Sequence, residues 1–270
     1  TKLFKSVGAL LVSAMAHPLN RAEIDAEKGV VVKGYGLMQP RVGTDIECAN
    51  KTIFSKIFAG QGGIDQYSGA ISDVYQDLFG EGIFTGKGIF DIVAFYATLP
   101  DAIPDNTVLS HDLLEGSYLR CGLAGDIEVS DGYPAAYLSH MSRLHRWTRG
   151  DWQLIGWLKR KIENANGTDV RNPLNSISRW KIADNLRRTL VSIALAVLAY
   201  FGICIFEGTW LITLLFILLC LGVSLITATI NIVTCADFSF EVRRSKSTII
   251  YGIKGAVLEL ITLFITLPFH

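Results

Sequence analysis

Within the twelve residues from Ser142 to Gln153 stand three arginines, a histidine and two tryptophans: Arg143, His145, Arg146, Trp147, Arg149 and Trp152. Arginine can grip a diphosphate with a planar fork of donors, and tryptophan offers a sugar ring an apolar face with one polar edge. Asp112 lies about thirty residues upstream, and long apolar runs begin about forty residues downstream. The combination suits a nucleotide-sugar site beside a membrane. It also describes an ordinary amphipathic helix with solvated arginines and core tryptophans.

Two further stretches carry chemistry. In Val108–Arg120 the apolar Leu113, Leu114, Tyr118 and Leu119 can share one helix face. Asp112 then falls in the first turn, where the helix dipole favours a carboxylate. From that position it can serve as a general base or simply as an N-terminal cap. Between Ala59 and Asp91 the glycines at 60, 62, 63, 69, 80, 82, 86 and 88 are interleaved with Tyr67, Asp73, Tyr75, Asp77, Phe79, Glu81, Phe84, Phe90 and Asp91. Such density lets backbone approach a ligand, and acids beside aromatics are how sugar sites are lined; a flexible surface loop is the plainer reading. Neither a P-loop nor a dinucleotide fingerprint occurs there.

The elements that must position these residues follow from periodicity. Residues 3 to 16 have helical spacing and stop before His17-Pro18, and the lone His17 reads as structural. Gly29 to Val42 reads as a strand of a mixed sheet leading into a loop, with Gln39 and Arg41 at its end. Asp91 to Leu99 is helical, and Asp126 to Ser130 is β-like. Trp152, Ile155, Trp157 and Leu158 continue the helix of the opening motif, and residues 163 to 175 form a polar linker.

The chain of 270 residues carries 25 basic and 25 acidic side chains, so no basic footprint suggests nucleic acid as a partner. Its five cysteines, Cys48, Cys121, Cys204, Cys220 and Cys235, are scattered without a CxxC pair, which favours reduced, buried thiols over a disulfide framework or zinc site. Half of the residues are hydrophobic, with the excess after residue 188. Ser176 to Arg188 is a short segment of Trp and bases suited to the membrane interface. Thr189–Phe206 and Gly208–Ala236 then run for 18 and 29 residues without charge, joined at Glu207, and read as a transmembrane hairpin. Basic residues before the first run and after the second put both ends in the cytoplasm. The run from Thr248 to Phe269 holds Lys254 and Glu259 and fits an in-plane helix or a third span. Opening at Thr1 with neither Met nor signal peptide, the chain reads as a piece of a longer one.

Taken together, His111-Asp112, Arg120, Gly125, Gly132 and Arg143-x-x-Arg146-Trp147-x-Arg149-Gly150 resemble the ED … QxxRW signature of processive, cellulose-synthase-type membrane glycosyltransferases. His111 stands where an acid is usual and Arg143 where Gln is usual. Those departures, with AHPLNR (16 to 21), GYGLMQPRV (34 to 42), SDVYQDLFGEGIFTGKGIFD (72 to 91), LSHDLLEG (109 to 116) and HRWTRGDWQ (145 to 153), are similar to one narrower family, the cyclic β-1,2-glucan synthases. The resemblance implies an α/β fold: residues 1–172 as the C-terminal half of a GT-A-like domain, 173–188 as linker and interface helix, 189–236 as the transmembrane hairpin, and 237–270 as a loop with a third hydrophobic helix. It implies a multi-pass inner-membrane protein with its catalytic part in the cytoplasm, and a phosphorylase-like region further along the parent chain.

For chemistry, the resemblance implies inverting transfer of glucose from UDP-glucose to a growing β-1,2-glucan. Asp112 would be the base. Arg143, Arg146 and Arg149 would lie toward the donor diphosphate, with Arg143 and Arg149 equally able to brace the helix. Trp147, Thr85, Gly86 and Lys87 would meet the acceptor. A divalent metal, Mg2+ or Mn2+, would be held by a DxD motif upstream of Thr1; none occurs in residues 1 to 270, so the piece alone is expected to be inactive. Two alternatives stand beside this reading: another processive β-glycan synthase, and a non-catalytic glycan-binding membrane subunit.

Overall fold

The computed structural model describes residues 2–59, 73–206, 208–223, 225–226, 229 and 246–266. It divides into two compact units, one of residues 1–52 and 59–187, the other of 53–58 and 188–270. The first is mixed α/β. Its four-stranded sheet has the order β1-β6-β4-β5, with β1 Lys2–Leu3, β4 Leu37–Thr44, β5 Ile89–Phe90 and β6 Cys121–Asp131. The central strands β4 and β6 are parallel, and both edge strands run antiparallel to them.

β4 is longer than the sequence suggests and does not become a loop: Gln39 and Arg41 lie in its middle, and Gln39 and Pro40 are fully buried. A proline can sit in a central strand here because the register with β6 shifts between Pro40 and Arg41. That bulge falls where the missing N–H would break the ladder. The Gly29–Val42 run is therefore two strands. β3 Val30–Lys33 turns away to pair with β2 Glu23–Asp25, and the chain reverses at Gly34, whose positive φ of 66° belongs to glycine.

Helices cover the sheet. α1 Val7–Ala16 packs Val7 and Leu11 against Met38, Val42, Ile127 and Val129, and His17 ends it by accepting the Leu19 amide, a structural role as expected. α4 Val74–Phe79, α5 Ile92–Thr98 and α6 Asp112–Leu119 gather about the larger core, where Leu37, Leu114 and Leu119 are fully buried. After α7 Tyr137–Gln153 the chain tightens into a 3-10 turn over Leu154–Leu158 and does not continue the helix. The expected polar linker is a hairpin of β7 Lys161–Glu163 and β8 Asp169–Arg171; Asn164 and Gly167 close its turn.

α8 Ser176–Ala199 is one unbroken helix that continues as a wider π-type turn over Tyr200–Ile205, so the Trp-and-base segment and the first apolar run share a rod. In its first part Ile182 and Leu186 are buried in the larger core with Leu174 and Trp157, and Trp180 is exposed. Among the described residues the stretch Ser176–Ile205 is the one helix long and apolar enough to cross a membrane.

In the second unit, formed with α2 Ile46–Ala49 left behind in the first, α3 Ile53–Phe58 joins the end of α8, α9 Trp210–Leu221 and α10 Lys246–Thr266. Thr213 of α9 lies so close to Gly202 that a side chain there would collide with it. Ile193, Val197, Phe201, Leu215, Phe216 and Leu219 are exposed, so this unit wears apolar side chains on its outside. Glu207, much of the second apolar run, and the glycines from 60 to 69 lie outside the described residues, as does Cys235. Cys121 is buried as expected, whereas Cys204 is exposed and Cys48 and Cys220 are partly exposed.

Candidate functional site

Asp112 is the first residue inside α6. The capping position belongs to His111, whose ring meets Glu115 at 3.0 Å. The carboxylate, half-buried at the positive end of the helix, accepts a hydrogen bond from Ser110 Oγ at 3.1 Å on Oδ2. A Cβ added to Gly86 would stand 3.2 Å from both carboxylate oxygens. Gly86 has a φ of 88°, so the Thr85-Gly86-Lys87 turn passes bare backbone over Asp112.

That turn is tethered on both sides. Gln39, wholly buried in β4, donates to the Ile83 carbonyl at 2.7 Å and accepts from the Thr85 amide at 3.0 Å and its hydroxyl at 3.2 Å. Lys87 pairs with Asp131, at the end of β6, at 2.7 Å. Behind the turn, Phe84 and Phe90 meet edge to face in the core. Asp73 and Asp91 cap α4 and α5, and Glu81 is paired with Lys181. Of the acids and aromatics expected to line a sugar site, these five hold helix starts and the backbone around the turn.

α7 brings the third component. Gly150 packs on Ser110, where a Cβ would approach Ser110 Cβ to 3.3 Å, and Gln153 accepts the Leu109 amide at 2.7 Å. Arg143, Arg146, Trp147 and Gly150 share one helix face by their spacing. The Arg143 guanidinium is sandwiched between the Tyr133 ring, 5.1 Å from its centroid, and the Trp147 ring at 4.8 Å. Burial lowers the pKa of Arg143 from its ordinary value. Of the two roles open to Arg143, this stack supports bracing. Trp147 is 40% exposed, and Arg146 and Arg149 are exposed, leaving their donors accessible.

The structure thus brings Asp112, Gly86 and the Gly150 face of α7 together around Ser110, with Thr85 and Lys87 on the same turn. Ser110, Gln39, Gly150 and Asp131 were not singled out for these roles in the sequence; only the Gly-rich turn and the carboxylate at a helix start pointed toward them. Among the described residues no three His, Cys, Asp or Glu side chains gather into a set that could hold a metal ion.

A curated protein from Rhizobium meliloti (strain 1021), the cyclic beta-(1,2)-glucan synthase NdvB, is 42% identical to this chain over 221 residues. The resemblance to cyclic β-1,2-glucan synthases is borne out. The aligned stretch covers 80% of this chain, and the chain spans only 8% of that relative's length. No protein-family model matches the chain.

Proposed function

We propose that this chain is part of a membrane-bound inverting glycosyltransferase that moves glucose from UDP-glucose to a growing β-1,2-glucan, and that its first unit is the second half of a GT-A-like domain. The observation that carries the reading is the carboxylate of Asp112, held at a helix N-terminus beneath the bare backbone of Gly86 and bonded to Ser110, on which Gly150 of α7 packs, in a chain 42% identical over 221 residues to a cyclic glucan synthase. An α-linked donor giving a β linkage calls for one in-line displacement. Asp112 takes the proton of the acceptor 2-hydroxyl as its oxygen bonds to the anomeric carbon, and the bond from that carbon to UDP breaks with its electrons on the diphosphate. Arg146, and Arg149 beside it, offset the charge that develops there. Trp147 offers its exposed face to the acceptor sugar, and Thr85, Gly86 and Lys87 form the opposite wall.

The apolar exterior of the second unit and the 30-residue apolar helix from Ser176 support insertion in a bilayer. The deciding experiment supplies radiolabelled UDP-glucose and divalent metal to membranes from cells expressing the full-length gene, followed by linkage analysis. A β-1,2-linked product is expected. Another linkage would keep glycosyl transfer and discard the narrower substrate; no incorporation from any common sugar nucleotide would leave a non-catalytic membrane subunit.

A further inference from the structure

Gly80 to Gly88 lies outside helix and strand, and beyond the backbone bonds of the Gly80 and Gly82 amides it is side chains that satisfy and place its backbone. Arg120 donates to the Gly80 carbonyl at 2.9 Å, and Gln39 holds Ile83 and Thr85. The most concentrated anchor is Lys181 of α8, only 2% exposed. Its Nζ lies 3.1 Å from Glu81 Oε1, 2.9 Å from the Gly82 carbonyl and 3.4 Å from the Glu81 carbonyl, three acceptors for three protons. The ammonium also sits 5.4 Å from the Tyr75 ring centroid, and Asn175 donates to the other Glu81 oxygen at 3.3 Å. Four residues along α8, Asn185 donates to Asp151 of α7 at 3.0 Å.

Stability does not account for such a pair, since apolar residues of similar volume commonly serve a core as well or better. An ammonium does what a methyl group cannot: it fixes two successive carbonyls and a carboxylate in direction. We propose that Lys181 is a positioning residue that sets the Thr85-Gly86-Lys87 turn over Asp112, while the same helix holds α7 through Asn185. The turn and the acceptor-facing helix are thereby kept in register by one rod. The inference rests on the glycosyl-transfer reading, and Lys181 itself touches no reacting group.

The test compares full-length wild-type protein in membranes with Lys181→Met and with the double variant Lys181→Met/Glu81→Met, which leaves no unpaired buried charge. Amide hydrogen exchange is read at Gly82–Gly88 and along α6, and UDP release is divided between glucan growth and hydrolysis. The expected result for the double variant is exchange at least about tenfold faster in the turn with α6 unchanged. Glucan growth should fall about a hundredfold, as misplacement by an ångström does, while hydrolysis falls much less. Unchanged exchange in the turn, an equal fall in growth and hydrolysis, or loss of the fold in the double variant as well would overturn the proposal. A wild-type protein that makes no glucan removes the functional reading itself, which separates that failure from the failure of Lys181 to position the turn.

Discussion

At the scale of single residues the proposed chemistry depends on Asp112 being charged, aimed and uncovered. Its half-buried carboxylate is held by Ser110. Asp112→Asn in the full-length protein is expected to lower glucan synthesis by about 10²- to 10⁴-fold, with the melting temperature little changed. Normal synthesis by that variant would remove Asp112 as the base. Gly86→Ala tests the aperture from the other side. The new Cβ would press on both carboxylate oxygens at 3.2 Å and meet a φ of 88°, costing roughly 1–2 kcal/mol in backbone strain and closing access to the base. The expected outcome is a folded protein that transfers little glucose. Cys121 gives a control on burial: desolvation pushes its thiol far above the ordinary range, so it stays protonated at pH 8. Alkylation followed by peptide mass spectrometry should find it unmodified in native protein and modified after unfolding.

At the scale of elements, the site depends on how closely α6 and α7 approach what they pack on. Gly116 of α6 leaves room for Phe84, whose Cβ would be 2.8 Å from a Cβ there. Substituting Gly116 by Leu pushes the helix from the Glu81–Lys87 segment and so moves Asp112 relative to Gly86, whereas Leu114→Ala only hollows the core. The expected contrast is a loss of about 2–5 kcal/mol for Leu114→Ala, with the activity of the folded fraction retained. Gly116→Leu should reduce activity even in protein that stays folded. Denaturant melts together with activity per folded molecule separate the two. A fall in specific activity for Leu114→Ala equal to that of Gly116→Leu would deny α6 its positioning role.

At the scale of the molecule, the two units have opposite surfaces. The first has a buried core around Leu37, Leu114 and Leu119, while the second leaves leucine, isoleucine and phenylalanine outside along α8, α9 and α10. An apolar exterior of that extent supports the proposed insertion in lipid. The full-length protein should therefore remain in the membrane pellet after carbonate extraction. Reporter fusions should place the Asp112 side and the segment carrying Arg243 and Arg244 both in the cytoplasm, as the basic residues flanking the two apolar runs predict. A reporter after Arg244 found on the outer side would break the hairpin reading.

Much of this was legible in the residues because the signals are local. Leucine spacing placed α6 and put Asp112 in its first turn; charge-free length marked the apolar runs; glycine density marked the turn that passes over the carboxylate. The likeness to glucan synthases was written in continuous phrases such as LSHDLLEG and HRWTRGDWQ. What the tertiary structure decided is long-range. Gln39 reaches Thr85 across 46 positions, and Lys181 reaches Glu81 across 100. No periodicity records that a glutamine in the middle of a strand, or a lysine among bases on an amphipathic helix, will be buried against a distant loop. The same holds for Asp73 and Asp91, which cap α4 and α5, and for Arg143, whose guanidinium lies against two aromatic rings. A side chain's type states which bonds it can make, and only the packed chain determines which partner removes it from water first.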